Sequence, residues 1–215
     1  MLRKLTSEFL GTGILVAAVV GSGTMATNLS SDLGVDLLIN AIATVLALGL
    51  LIHVLAPYSG AHFNPAVSLS EWAQGRINKS TTFGYVAAQV LGGLSGVFVA
   101  NLMFGHPAVF MSQHVRSGAN LFSSEVVATA GLLFIIQLLR NHKNPGATSF
   151  AIASWIGSAY FFTSSTSFAN PAVTFARAFT DTFSGIAMGS VLAFVAAQLV
   201  GATLGTLLGR FLSRT

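Results

Sequence analysis

Two asparagines, each followed by proline and alanine, are the residues of this chain best placed to do organised chemistry. "HFNPAVSLSEW" begins at residue 62 and "SFANPAVTFAR" at residue 167. Asn is a strong helix N-cap and Pro is well accepted at the first helical position, so Asn64-Pro65-Ala66 and Asn170-Pro171-Ala172 each read as a helix start. An Asn amide carries two donors and an acceptor. It can tie down a loop and still offer a hydrogen to a passing neutral oxygen. A lone motif of this kind would read as a plain cap. Two copies in equivalent places favour a shared lumen.

The second candidates are Glu8 and Glu125, which lie in apolar surroundings. A carboxylate inside a membrane is functional by default. It could relay protons, or it could accept backbone N–H groups from a nearby loop. A relay needs a string of titratable groups, and one Glu per half suits scaffolding better. His62 abuts the first motif and is expected to brace its loop. His53 either faces a pore or bonds to its own helix, and both readings stay open. His106, His114 and His142 look like loop residues. No spacing suits a metal, and the chain has no Cys. It shows no nucleophile–base set and no phosphate loop, so neither an enzyme nor a cofactor is expected.

What must position these residues is a set of membrane helices. Of the 215 residues, 53% are hydrophobic and only 7% charged, against about 25% charged in a soluble domain. Mean hydropathy is +0.75. Ten Lys and Arg are spread thinly, without the basic run or aromatic–basic face that nucleic-acid binding requires. Spanning the hydrocarbon takes about 20 apolar residues. Six segments qualify, at 5–27, 35–56, 80–104, 120–140, 147–164 and 184–209. Segments 64–73 and 170–179 are too short and read as half-helices. The first span follows basic residues as a signal peptide would, but it is long, contains Glu8 and lacks a clean cleavage site, so it is expected to be retained. With six spans, Arg3, Lys4, Arg76, Lys79, Arg140, Lys143, Arg210 and Arg214 fall on one side, leaving Arg116 and Arg177 on the other. The positive-inside rule then places both termini in the cytoplasm of a cell bounded by this plasma (inner) membrane.

The halves repeat, roughly over 1–104 and 118–215, within a single domain. "SEFLGT" at residue 7 pairs Glu8 with Glu125 in "SSEVVATAG", and "AAQVLGGLSG" at residue 87 pairs Gln89 with Gln198 in "AAQLVGATLG". Three spans per half invert the second copy, so the half-helices enter from opposite faces and meet near the midplane. Helix N-termini are partially positive, and two facing one cavity oppose cations.

"SEFLGT", "SGAHFNPAVS", the second NPA and Gln89/Gln198 resemble the aquaporin (major intrinsic protein) family over nearly the whole chain. The resemblance implies an all-α membrane protein of six transmembrane helices and two re-entrant half-helices, with one pore per protomer of a homotetramer in the lipid bilayer. It also implies a selectivity filter. Most members have Arg directly after the second NPA; here that residue is Val173. Counting from the NPA asparagines places the other filter positions on Thr44, Ser158 and Ser167. A Thr, Ser, Ser, Val quartet would have neither aromatic ring nor cation, and would be wide, neutral and rich in hydroxyls. That combination resembles a bacterial branch associated with arsenic detoxification. Arg177 shares Val173's helix face four residues on. It either snorkels to the outer surface or bends back into the vestibule to fill the missing role.

The resulting expectation is a passive channel for water and small neutral solutes, with metalloid hydroxides, organic arsenicals and polyols favoured. A water or glycerol channel of the same architecture is the nearest alternative. A coupled secondary transporter, using Glu8 and Glu125, is the second. An adhesive protein with a closed pore is the third.

Overall fold

The computed structural model describes residues 1–140 and 144–213. The basic residues Lys143 and Arg214, and His142, lie outside them. Capping fixes most helix starts. Asp32 accepts from the N–H groups of Gly34 and Val35 to open α2 (Leu33–Ser59), which follows α1 (Leu2–Leu29). Asn64, Asn78, Asn144 and Asn170 cap α3 (Pro65–Ala73), α4 (Lys79–Met103), α6 (Pro145–Phe162) and α7 (Pro171–Ala176), with proline at the first helical position of α3, α6 and α7. Between these run α5 (Ala119–Leu139) and, last, α8 (Met188–Leu212).

Five of these helices, α1, α2, α4, α5 and α8, are long and apolar enough to cross a membrane. The sixth expected span, α6, has 18 residues and is diluted by Ser, Thr and Gly. Most boundaries fall within three residues of expectation, and two differences bear on the site. Helix α8 starts at Met188 rather than 184, because the chain before it bonds to the α4–α5 loop: Ala187 N–H donates to the His114 carbonyl at 2.7 Å, and Ile186 packs with Phe168 and Phe194. Helix α7 is α-helical only to Ala176 and tightens into a 3₁₀ turn over Arg177–Phe179.

Each half closes on itself in the same way. Helix α1 packs on α4, and α5 packs on α8. Where they cross, Gly92 and Gly96 lie against the backbone oxygens of Phe9 and Gly13, and Gly201 and Gly205 against those of Val126 and Ala130. A Cβ at any of these four positions would collide with backbone, so small residues set the interhelical distance. The halves join where α2 meets α6, where α3 meets α8 and where α4 meets α7.

Candidate functional site: a channel between two half-helices

The loops that lead into α3 and α7 are strained. Ala61 and Phe63 in the first, and Thr166, Ser167 and Ala169 in the second, have φ between 46° and 60°. Non-glycine residues enter this left-handed region only when their surroundings force it. The forcing groups are the two glutamates, both wholly buried. Glu8 accepts from the backbone N–H groups of His62 (3.0 Å) and Phe63 (2.7 Å), from the Ser59 hydroxyl (2.6 Å) and from the Gln89 amide (2.7 Å). Glu125 accepts from Phe168 (2.9 Å) and Ala169 (2.9 Å), from the Ser165 hydroxyl (2.6 Å) and from the Gln198 amide (2.6 Å). Each glutamine also donates into its half-helix, Gln89 to Ser68 and Gln198 to Thr174. His62 Nδ1 sits 3.0 Å from the Ser68 hydroxyl, so it too ties the first loop to α3.

The half-helices meet head to head. Asn64 Oδ1 caps Ala66 N–H while its Nδ2 donates to the Ala169 carbonyl at 2.8 Å. Asn170 Oδ1 caps Ala172 and Val173, and its Nδ2 donates to the Phe63 carbonyl at 2.7 Å. Both asparagines line a cavity of about 490 Å³. With one proton of each Nδ2 committed, the other is available to the cavity.

Three of the four filter positions counted from the sequence, Thr44, Ser167 and Val173, line this cavity. Ser158 does not. It lies exposed on the outer face of α6, and Tyr160 lines the cavity instead. Two residues turn a helix by about 200°, so a count two residues out lands on the opposite face. The lining thus contains the aromatic ring that the counted quartet lacked, and the Tyr160 hydroxyl donates to Thr44 Oγ1 at 3.2 Å. The Ser167 hydroxyl is buried with no protein partner.

Arg177 does not snorkel. It is 3% exposed, lines the cavity, and holds its guanidinium 3.4 Å above the Phe168 ring. Its Nε donates to the Ser184 carbonyl. The opposite end carries an ion-pair cluster: Glu71 accepts from Arg140 at 2.8 Å and from Arg76 at 2.8 Å, and Glu71 and Arg140 line the cavity mouth. Sequence reasoning missed Tyr160, Glu71 and Phe168. Glu71 alone left a signal, an acidic residue within a segment too short to span. His53 lies exposed on the outer face of α2, off the cavity, and His114 sits 3.7 Å from Asp181 in the loops.

Apolar helices closed around a largely apolar cavity, which the asparagines of two abutting half-helices also line, define a multi-pass membrane channel. The model of the Major intrinsic protein family matches residues 1–168. The chain is similar to aquaglyceroporin AqpS of Rhizobium meliloti (strain 1021), 48% identical over 211 residues that cover 98% of this chain and 90% of the relative. It is 31% identical to Aquaporin Z of Photorhabdus laumondii over 159 residues, covering 67% of this chain and 68% of that one. The solved aquaglyceroporin of Plasmodium falciparum shares the fold, with a TM-score of 0.76 at 21% identity, over 100% of this chain and 96% of that one. The chain belongs to the major intrinsic protein family, the aquaporins and aquaglyceroporins, whose members are passive channels for water and small solutes.

Proposed function

We propose that this chain conducts neutral, hydroxylated solutes larger than water: polyols such as glycerol, metalloid trihydroxides such as arsenite, and methylated arsenicals. The observation that carries the reading is the wall formed by Thr44, Tyr160, Ser167 and Val173. It offers hydroxyls, one of them unpartnered, together with an apolar side chain. Hydroxyls both donate and accept, which suits solutes that do the same. Valine takes the place at which the family resemblance puts a charged, five-donor side chain, and so leaves room there. The similarity to a relative named as an aquaglyceroporin points the same way.

Asn64 and Asn170 then act as the midplane donors, with the half-helix N-termini opposing cations. Glu8 and Glu125 each have both carboxylate oxygens committed to four donors, which favours scaffolding over ion coupling. The working form is a homotetramer in the plasma (inner) membrane with both termini cytoplasmic, as the distribution of Arg and Lys supports.

The test is parallel stopped-flow measurement on proteoliposomes with water, glycerol, arsenite and methylated arsenicals. Glycerol and arsenite fluxes well above those of empty liposomes are expected. Water flux alone would assign a water channel. Uphill uptake under an imposed proton gradient would assign a coupled transporter.

A further inference from the structure

Beside the channel, at its Arg177 end, lies a second cavity of about 210 Å³. Its wall is mostly apolar, from Leu33, Leu37 and Phe183, with Asn40, Thr166, Arg116 and Arg177 as its polar residues, and Arg177 alone of these also lines the channel. The two arginines that line it also share one aromatic ring, Phe168, which itself lines the channel. The guanidinium of Arg177 lies 3.4 Å from the Phe168 centroid and that of Arg116 5.2 Å from it.

Both are anchored by backbone oxygens rather than by acids. Arg177 donates through Nε to the Ser184 carbonyl. Arg116 donates through Nε to Gly185 (2.9 Å) and through one terminal nitrogen to Phe183 (3.3 Å). Among the described residues, the terminal nitrogens of Arg177 and the second terminal nitrogen of Arg116 have no protein hydrogen-bond partner. Ion pairs within 4.0 Å among those residues join Glu71 to Arg76 and Arg140, and His114 to Asp181; none includes Arg116 or Arg177. The nearby carboxylate of Glu125 is already shared by four other donors.

Arg177 is buried and has no counter-ion within 4.0 Å among the described residues, which is costly, and the like charge of the partly exposed Arg116 beside it adds repulsion. An anion would relieve both. The planar fork of arginine matches oxyanions bidentately, and the Thr166 hydroxyl adds a polar group to the lining. One water occupies roughly 30 Å³ of liquid, so this cavity holds a tetrahedral oxyanion together with some of its hydration. We propose that the side cavity is a binding site for a small inorganic oxyanion, gripped between Arg116 and Arg177 and separate from the path of neutral solutes. Because Arg177 borders both spaces, a bound anion also offsets its charge at that end of the channel.

Isothermal titration of the purified full chain in nanodiscs, with inorganic phosphate as the probe and gluconate at equal ionic strength as the control, tests the site. Saturable binding near one phosphate per chain is expected, with a dissociation constant in the millimolar range or tighter. Arg116→Gln is expected to weaken it at least about tenfold, the effect of losing one charge-assisted contact. Arg177→Lys, which keeps charge but loses the fork, is expected to weaken it too. Heats indistinguishable from gluconate, equal binding of chloride, or phosphate affinity unchanged in Arg116→Gln would each overturn the proposal. Arg116 is partly exposed and lies in a loop, so its variant decides the matter even where Arg177→Lys does not fold. No solute flux enters the measurement, so its failure would leave the channel reading standing.

Discussion

Asn64 and Asn170 hold each other's loops. Each amide donates to the carbonyl of the residue just before the other asparagine, Asn64 to Ala169 at 2.8 Å and Asn170 to Phe63 at 2.7 Å. The exchange is reciprocal, so the two half-helices are locked in register by two bonds of nearly equal length.

Asn170→Asp keeps the capping oxygen but removes the donor to Phe63 and sets a carboxylate beside that carbonyl. The broken bond and unpaired acceptor are expected to cost roughly 1–3 kcal/mol. Glycerol flux should fall and cation leak rise, read by stopped-flow light scattering and by a potential-sensitive dye. Unchanged flux and unchanged cation exclusion in a well-folded variant would remove Asn170 from the lumen.

Glu8→Gln leaves one acceptor oxygen where two now serve four donors. The amide must turn its NH₂ toward one pair of donors, and bonds worth roughly 1.5–3 kcal/mol each to a charged group weaken. A lower thermal unfolding midpoint in detergent is expected, with Glu125→Gln behaving alike. Preserved stability together with loss of a pH-dependent flux would instead assign a proton relay.

Tyr160→Phe removes the hydroxyl that bonds Thr44 and is expected to alter the ratio of glycerol to water permeability. Ser158→Ala, on the outer face of α6, is expected to leave that ratio alone. A reversed result would restore Ser158 to the filter.

Helix periodicity explains which parts of this site were legible in the sequence. The Glu, the NPA motif and the Gln recur in the same order in each repeat, within similar local sequences though not at equal spacings, so comparing the halves locates them without any structure. Ser158 was reached by counting back from Asn170 across a loop of strained backbone, where the face of α6 that points inward depends on how that loop turns. The i, i+4 spacing placed Arg177 on Val173's face. It could not show that Phe168 and the Ser184 carbonyl capture the guanidinium before it reaches solvent. The start of α8 was misplaced for a similar reason: Ile186 is apolar because it is buried among loop residues and Phe194.

Val173→Arg places a second guanidinium one turn from Arg177, on the same face. Glycerol and arsenical fluxes are expected to fall about tenfold more than water flux, equivalent to roughly 1.4 kcal/mol in the barrier. Solute-to-water ratios equal to those of the parent protein would show that residue 173 does not set the filter.

The braces have a consequence for the origin of the chain. Glu8 and Gln89 steady the first loop, Glu125 and Gln198 the second, and the two asparagine bonds that join the halves are identical when the halves are exchanged. None of them depends on the covalent join. A half-length ancestor pairing with its own copy would satisfy every one, and co-expressed fragments split between α4 and α5 are expected to reassemble into a conducting channel. What the join confers is freedom for the two mouths to diverge. His62 in one loop stands where Phe168 stands in the other, one end carries Glu71 paired with Arg76 and Arg140, and the other carries Arg116 and Arg177 with no acid within 4.0 Å among the described residues. A symmetric dimer would have to repeat any such specialisation at both ends, whereas the fused chain gives each side of the membrane its own chemistry.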